Sequence, residues 1–495
     1  MPSKSPAILL RVSTWLLPPL GLLLLWRGTQ SLGRKLFGTL GILLYCIPYS
    51  ALIIWLLVRF AGLQIEWRGG FPPVLTYSKT LPNYDAVEKS RADQTKSPPP
   101  SHSAVTNAAP YWTDFRGPHR DGHYDELPIL TDWPANGLTA LWRQAVGGGY
   151  GSLVVGEGLA FTLEQRRELE VVVAYDLETG REVWTNNWPA LFQESMGGDG
   201  PRATPTYHAG RIFAQGAEGE LRCLEAATGR KVWSKNILTD NAAGNVSYGM
   251  AASPLVVDGM VIVQPGGANG KSVAAYDKAT GAPVWKALSD QAAYSSPMVV
   301  NLAGQRQLLI VTATRAVGLT LDGGKLLWEH PWVVKLQNRN VAQPVVLSTN
   351  RFFLSAGYGT GCSAVEVIRT GAGFSAQTVW QNKSLKNKFT SSVFWQGYVY
   401  GLDEDILTCL DAATGERKWK EGRYNYGQLV LASGHLVILG GDGALALVKA
   451  TPDRLEELAH FPALHGKTWN HPAVAQGKLL VRNAVEMACF DLTRK

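Results

Sequence analysis

Hydrophobic residues follow two patterns along the 495 residues. Near the amino end they form long runs. Residues 12–26, VSTWLLPPLGLLLLW, are apolar but hold Pro18 and Pro19, and extending them back to Ala7 includes Arg11. Residues 36–60, LFGTLGILLYCIPYSALIIWLLVRF, carry no charge before Arg59 and are long enough to cross a bilayer. From about residue 138 the apolar runs become short. They start as GSLVV at 151, ATPTY at 203, ASPLVV at 252, SSPMVV at 295, AQPVVL at 342, SSVFW at 391, GQLVLA at 427 and HPAVA at 471. Runs of this length between turn residues predict short strands.

A second motif repeats between those starts. YDLETGREVW ends at Trp184, LEAATGRKVW at Trp233, YDKATGAPVW at Trp285 and LDAATGERKW at Trp419, with a shortened copy, TLDGGKLLW, ending at Trp328. Trp142 and Trp380 close similar runs without the full motif. An acidic residue followed by Thr-Gly makes a tight turn, with glycine supplying positive φ, and the tryptophan can pack between neighbouring sheets. A period of 40–50 residues with a turn signature predicts propeller blades. Cys223, Cys409 and Cys489 stand just before the turn, where another copy has Ala275, which marks a small buried position. Eight starts give eight blades. The last blade runs out at CFDLTRK, and LTALWRQAV at 138–146 is available to complete it, so strands from both ends close the ring and remove its sheet edges.

The expected class is therefore all-β: an eight-bladed β-propeller over 138–495, behind two N-terminal transmembrane helices and a linker. The anchor is placed at 1–69, with spans at about 7–26 and 36–60 that contact membrane lipid, and the Pro- and Ser-rich linker and pre-propeller segment at 70–137. The loop RGTQSLGRK between the spans holds Arg27, Arg34 and Lys35, which places it in the cytoplasm and the propeller on the periplasmic side of a bacterial inner membrane. The net charge of +7 comes from dispersed Lys and Arg, so nucleic acid is not an expected partner.

The Ala-x-Asp-x-x-Thr-Gly-x-x-x-Trp repeat resembles the pyrroloquinoline quinone (PQQ) repeat propellers, which include quinoprotein alcohol dehydrogenases and the propeller lipoprotein of the outer-membrane barrel-assembly machinery. FRGPHRDG at 115–122, GPRATP at 200–205, YSSP at 294–297 and the LKNKF and KTWNHP stretches are more similar to membrane-anchored PQQ-binding-like bacterial proteins. The dehydrogenase resemblance implies PQQ with calcium or a lanthanide, a vicinal cysteine disulfide, a tryptophan floor and a catalytic Asp. This chain has no adjacent cysteines, no Cys-x-x-Cys-His haem motif and no Gly-x-Ser-x-Gly elbow. Asp403, Glu404 and Asp405 read as a turn, and Pro118 and Gly122 put His119 and His123, four apart, in a loop rather than on a helix, so no metal site is expected.

What remains is the rim formed by residues just before the inner strands. It gathers Tyr150, Arg202, Tyr248, Tyr294, Arg339, Asn340, Lys386, Lys388, Arg423, Tyr426, Lys467, Trp469, Asn470 and His471. Cations beside aromatic platforms suit an anionic planar ligand or an acidic peptide, so an unnamed protein or an anionic ligand is the expected partner at this rim. The first functional reading is a membrane-tethered, non-catalytic binding or assembly module. The alternatives are a PQQ-dependent oxidoreductase with an atypical site, and a polysaccharide or polyalcohol binder using the aromatic rim.

Overall fold

The computed structural model describes residues 14–77, 81–96, 109–334, 339–371 and 373–494. The chain divides into two compact units, Met1–Lys79 and Thr80–Lys495.

In the first unit, helix α1 (Pro18–Arg27) begins at a proline, whose fixed φ suits a first helical turn, and helix α2 (Leu32–Phe60) follows. The indole of Trp26 donates to Thr39 Oγ1 (2.9 Å) and the Tyr49 hydroxyl to the Leu16 carbonyl (2.6 Å), which pins the two helices together. Among the described residues one helix, α2, is long and apolar enough to cross a membrane. The expectation of two spans is corrected accordingly: ten residues of α1 rise only about 15 Å against a hydrocarbon core of about 30 Å. Residues 7–13 of that expected span lie outside the described residues.

The second unit carries eight four-stranded blades, one of them extended by a fifth short strand. Blade 1 spans 154–189, blade 2 206–236, blade 3 255–287, blade 4 298–331, blade 5 345–382, blade 6 393–423 and blade 7 428–462. Blade 8 combines three strands within 473–491 with Ala140–Ala145, so strands from both ends of the repeat region close the ring.

The repeated motif is a lock between blades. Within a blade each tryptophan lies opposite a small residue: Trp142 faces Cys489, Trp184 Ala174, Trp233 Cys223, Trp285 Ala275, Trp328 Gly318, Trp380 Ala364 and Trp419 Cys409. A register shift follows each pair. The ring then reaches the turn of the next blade. Trp184 Nε1 donates to the Ala226 carbonyl (2.8 Å), and a Cβ on Gly229 would collide with its ring. Trp142, Trp233, Trp285, Trp380 and Trp419 donate in the same way to Leu177, Lys278, Leu321, Ala412 and Thr451. The acidic residue shapes the turn: Asp176 Oδ1 accepts from the Thr179 amide (2.8 Å) and hydroxyl (2.7 Å). Trp328 is different. It donates to Gln307 of its own blade (2.6 Å), because blade 5 has a long hairpin in place of the Thr-Gly turn.

A second device runs around the axis from blade 1 to blade 6 and explains the Ser, Thr and Gln residues at those strand starts. The Ser152 amide donates to Thr204 Oγ1 (2.9 Å), Thr204 to Ser253 Oγ (3.0 Å) and Ser253 to Ser296 Oγ (2.8 Å). The Ser296 amide donates to Gln343 Oε1 (2.6 Å) and the Gln343 amide to Ser391 Oγ (2.9 Å). Each side chain satisfies a buried amide of the preceding blade.

Two parts of the 70–137 stretch are built into this unit. Helix α3 (Tyr84–Thr95) sends Arg91 to the Ala145 carbonyl (2.7 Å), the Tyr175 hydroxyl (3.0 Å) and Glu182 (2.9 Å), tying the closing strand to blade 1. Beneath it lies buried Glu164. Burial alone would raise its pKa, but Arg166, Arg482 and Arg91 hold it down to about 2. The second part enters the propeller channel. The Val155 and Tyr207 amides donate to the Trp112 and Thr113 carbonyls, and His123–Tyr124 pairs in parallel with Leu431–Ala432.

Candidate ligand-binding mouth

The channel segment delivers two buried arginines, each with left-handed backbone, Arg116 at φ 66° and Arg120 at φ 59°. Arg120 donates to the carbonyls of Ser253 (3.1 Å), Pro254 (2.5 Å) and Pro297 (3.0 Å) and pairs with Asp114 (2.9 Å). Arg116 donates to the carbonyls of Ser392 (2.7 Å) and Asp121 (3.0 Å), and lies 3.2 Å from His471 Nε2. Burial lowers the Arg116 pKa to about 10, so it keeps its charge at neutral pH. Burial, helped by Arg116, holds His471 neutral with a pKa near 3. The arginines join inner strands from both sides of the ring and fill the axis.

Above them, at the starts of the inner strands, lies a closed circuit of half-buried cations and aromatic rings. Lys467 sits over Trp469 (3.8 Å from its centroid), and Trp469 packs against Phe389 (4.6 Å between centroids). Lys388 lies among Tyr358 (5.2 Å), Phe389 (5.6 Å) and Tyr426 (5.1 Å). Arg339 bridges Tyr358 (5.4 Å) to Tyr248 (4.5 Å). The Tyr248 hydroxyl reaches Met196 Sδ (3.8 Å), and Lys467 Nζ donates to the Met196 carbonyl (2.9 Å), completing the circuit. Arg202 lies over Phe192 (4.6 Å) and Tyr150 (5.6 Å). Burial lowers the pKa of both Arg202 and Lys388. Desolvated cations gain more from an incoming anion than cations in open water.

The structure thus brings Arg202, Arg339, Lys388, Tyr426, Lys467 and Trp469 together and sets other rim residues apart. Asn340 is buried and donates to the Thr312 carbonyl (2.9 Å), while Asn470 donates to the Gly151 carbonyl (3.0 Å), so both hold loops in place. His471 belongs to the arginine-filled channel. Lys386 pairs with buried Asp403 (2.5 Å), and exposed Arg423 pairs with Asp405 at the end of an outer strand. Phe192, Tyr358 and Phe389 join the circuit although they were not in the expected set. Phe389 was visible in the LKNKF stretch beside Lys388, but nothing in a single stretch shows that it meets Trp469.

A family model described as outer membrane protein assembly factor BamB, a PQQ-repeat model, matches residues 135–236 and 167–421, more than half of the chain. The chain belongs to this family. Among curated relatives, it is 25% identical over 184 residues to quinohemoprotein alcohol dehydrogenase ADH-IIG of Pseudomonas putida, covering 35% of this chain and 25% of the relative. It is 29% identical over 100 residues to a 1-butanol dehydrogenase (cytochrome c) of Thauera butanivorans, covering 20% of this chain and 14% of that protein. Among solved structures, BamB from Moraxella catarrhalis is similar with a TM-score of 0.52 at 16% identity, covering 72% of this chain and 98% of that one. Quinohemoprotein alcohol dehydrogenase from Comamonas testosteroni gives 0.54 at 13% identity, covering 83% and 85%. At these identities the structures show a shared fold.

The family's description is an outer-membrane one, and it overturns the expected placement at an inner membrane with a periplasmic propeller. The charge argument for that placement needed two spans joined by a basic loop, and the described residues supply one helix of sufficient length.

The quinoprotein relatives raise PQQ with a metal as a cofactor. The mouth has cations for carboxylates and flat platforms in Trp469 and Phe389. Among the described residues, however, no three His, Cys, Asp or Glu side chains come together to hold a metal ion. Asp403 is committed to Lys386 and Lys420, and exposed His119 stands outside the channel. The five cysteines are separate free thiols. The donor set fits an anion and does not fit a metal-bound quinone.

Proposed function

We propose that this chain is a membrane-tethered binding or assembly module whose mouth takes a multiply anionic partner. The circuit of Arg339, Lys388, Lys467 and Arg202 interleaved with Tyr248, Tyr358, Phe389 and Trp469 carries this reading. Like charges gathered on one rim repel one another, and an anion relieves that repulsion. The aromatic faces give a flat surface that excludes water around it. Helix α2 supplies a segment able to anchor the chain in lipid. Membership of a family described by an assembly factor agrees with a non-catalytic role.

Calorimetric titration with hexaglutamate, a short polyanion, tests the reading. Binding should weaken as salt rises, since the outer parts of the field are screened. Arg339→Glu with Lys388→Glu should weaken it by at least about ten-fold. Arg423→Glu serves as the control, because Arg423 is exposed and pairs with Asp405 rather than lying over a ring of the circuit. If Arg423→Glu weakened binding as much per charge as the mouth variant, the attraction would belong to the whole surface rather than to the mouth.

A further inference from the structure

The mouth already has an occupant, which is part of this chain. The connection from blade 1 to blade 2 turns over the circuit at residues 191–200, LFQESMGGDG. Its backbone carbonyls satisfy two of the cations. Lys467 Nζ, from the loop before blade 8, donates to Met196 O (2.9 Å) and Gly197 O (2.8 Å). Arg202 donates to Gly198 O (2.5 Å) and to Gly200 O, and the Tyr150 hydroxyl donates to Gly197 O. Four carbonyls of one short peptide segment, those of Met196, Gly197, Gly198 and Gly200, therefore meet two cations that the mouth would offer to an anion.

From this we infer that residues 191–200 are a displaceable lid standing in for the ligand, and that the ligand is an acidic segment of another polypeptide. The inference rests on the mouth reading above. A seat that accepts consecutive carbonyls spaced by a peptide backbone suits another peptide chain, and carboxylates bind these cations more strongly than neutral carbonyls do. The lid is built to leave. Three of its last four residues are glycines, and Gly198 and Gly200 take φ of 104° and 93°. Part of its shape is held from within, independently of the mouth: the Glu194 carboxylate accepts from the Met196 amide (2.9 Å) and the Gly197 amide, and the Gly198 amide donates to the Glu194 carbonyl (2.8 Å). Closure lowers the population of the open state and so reduces apparent affinity by the same fraction.

Glu194 gives the test, since it shapes the lid. Hexaglutamate binding to the full chain in detergent would be compared for the parent, Glu194→Ala and Glu194→Gln. Both variants remove the charge, but glutamine keeps one acceptor for the lid amides. Glu194→Ala should bind about five-fold more tightly than Glu194→Gln, the worth of about one net hydrogen bond. In the parent, amide hydrogen exchange over 191–200 should speed up when the peptide binds. Equal affinity for the two variants, or exchange over 191–200 that is unchanged or slowed by peptide, overturns the lid. Absence of binding in the parent and both variants overturns the mouth reading itself and the lid with it.

Discussion

At the scale of single residues, the molecule uses buried charge in two opposite ways. Arg116 and Arg120 hold the channel through backbone carbonyls, with Asp114 the carboxylate paired to Arg120. Replacing Arg120 with Met should cost about 3 kcal/mol or more, because three carbonyls lose a buried donor and the partly buried Asp114 loses its paired cation. Urea unfolding measures this, and a loss below about 1 kcal/mol would show that the channel segment is not fastened by that side chain. Glu170 is the opposite case. It is buried in blade 1, accepts from the Ala217 amide (2.9 Å), and burial raises its pKa to about 7 from an ordinary 4.5. Below pH 4.5 the folded and unfolded chains both carry its proton. Between 4.5 and 7 only the folded chain keeps it, so the stability this group contributes falls as pH rises through that window. Relative to Glu170→Gln, the parent should lose roughly 3 kcal/mol between pH 4 and pH 8. A pH-independent difference between the two proteins would contradict the burial argument.

At the scale of elements, the inter-blade lock depends on a tryptophan, a small residue opposite it and a glycine in the next turn. Cys223→Leu should destabilise by about 1–3 kcal/mol through overpacking against Trp233, and Trp233→Ala by about 3–5 kcal/mol through loss of the ring. If the leucine variant matched the parent in thermal unfolding, the small position would have no packing role. These features were legible because they recur: four turn motifs and the Cys or Ala before them reveal the blades without coordinates. Blade 7 breaks the pattern in a compensated way. There Leu447 faces Ala459, so the large residue has changed strands, and a blade without tryptophan still fills its sheet. What does not recur was not legible. FRGPHRDG occurs once, and neither its two left-handed arginines nor their carbonyl partners can be read from one copy. The rim was legible by register, but the residue immediately before an inner strand, such as Asn470 or His471, is already in the channel wall. Arg423 ends an outer strand and therefore stays at the blade edge.

At the scale of the whole propeller, the two ends of the axis differ. The segment from Trp112 to Tyr124 pairs with the later part of the blade 7 inner strand and fills the channel, while the cation–aromatic circuit stands where the inner strands begin. A filled channel suits the mouth to capturing a segment of a partner rather than passing a molecule through. The measurement that tests this most directly is photocrosslinking of hexaglutamate bearing a photoreactive end group to the full chain, with the attachment sites mapped by mass spectrometry. The account predicts labelling at Tyr150, Tyr358, Phe389, Tyr426 and Trp469, suppressed by unlabelled peptide and lost in the Arg339→Glu, Lys388→Glu variant. Labelling concentrated on the blade edges around Arg423, or labelling unchanged in that variant, would contradict it.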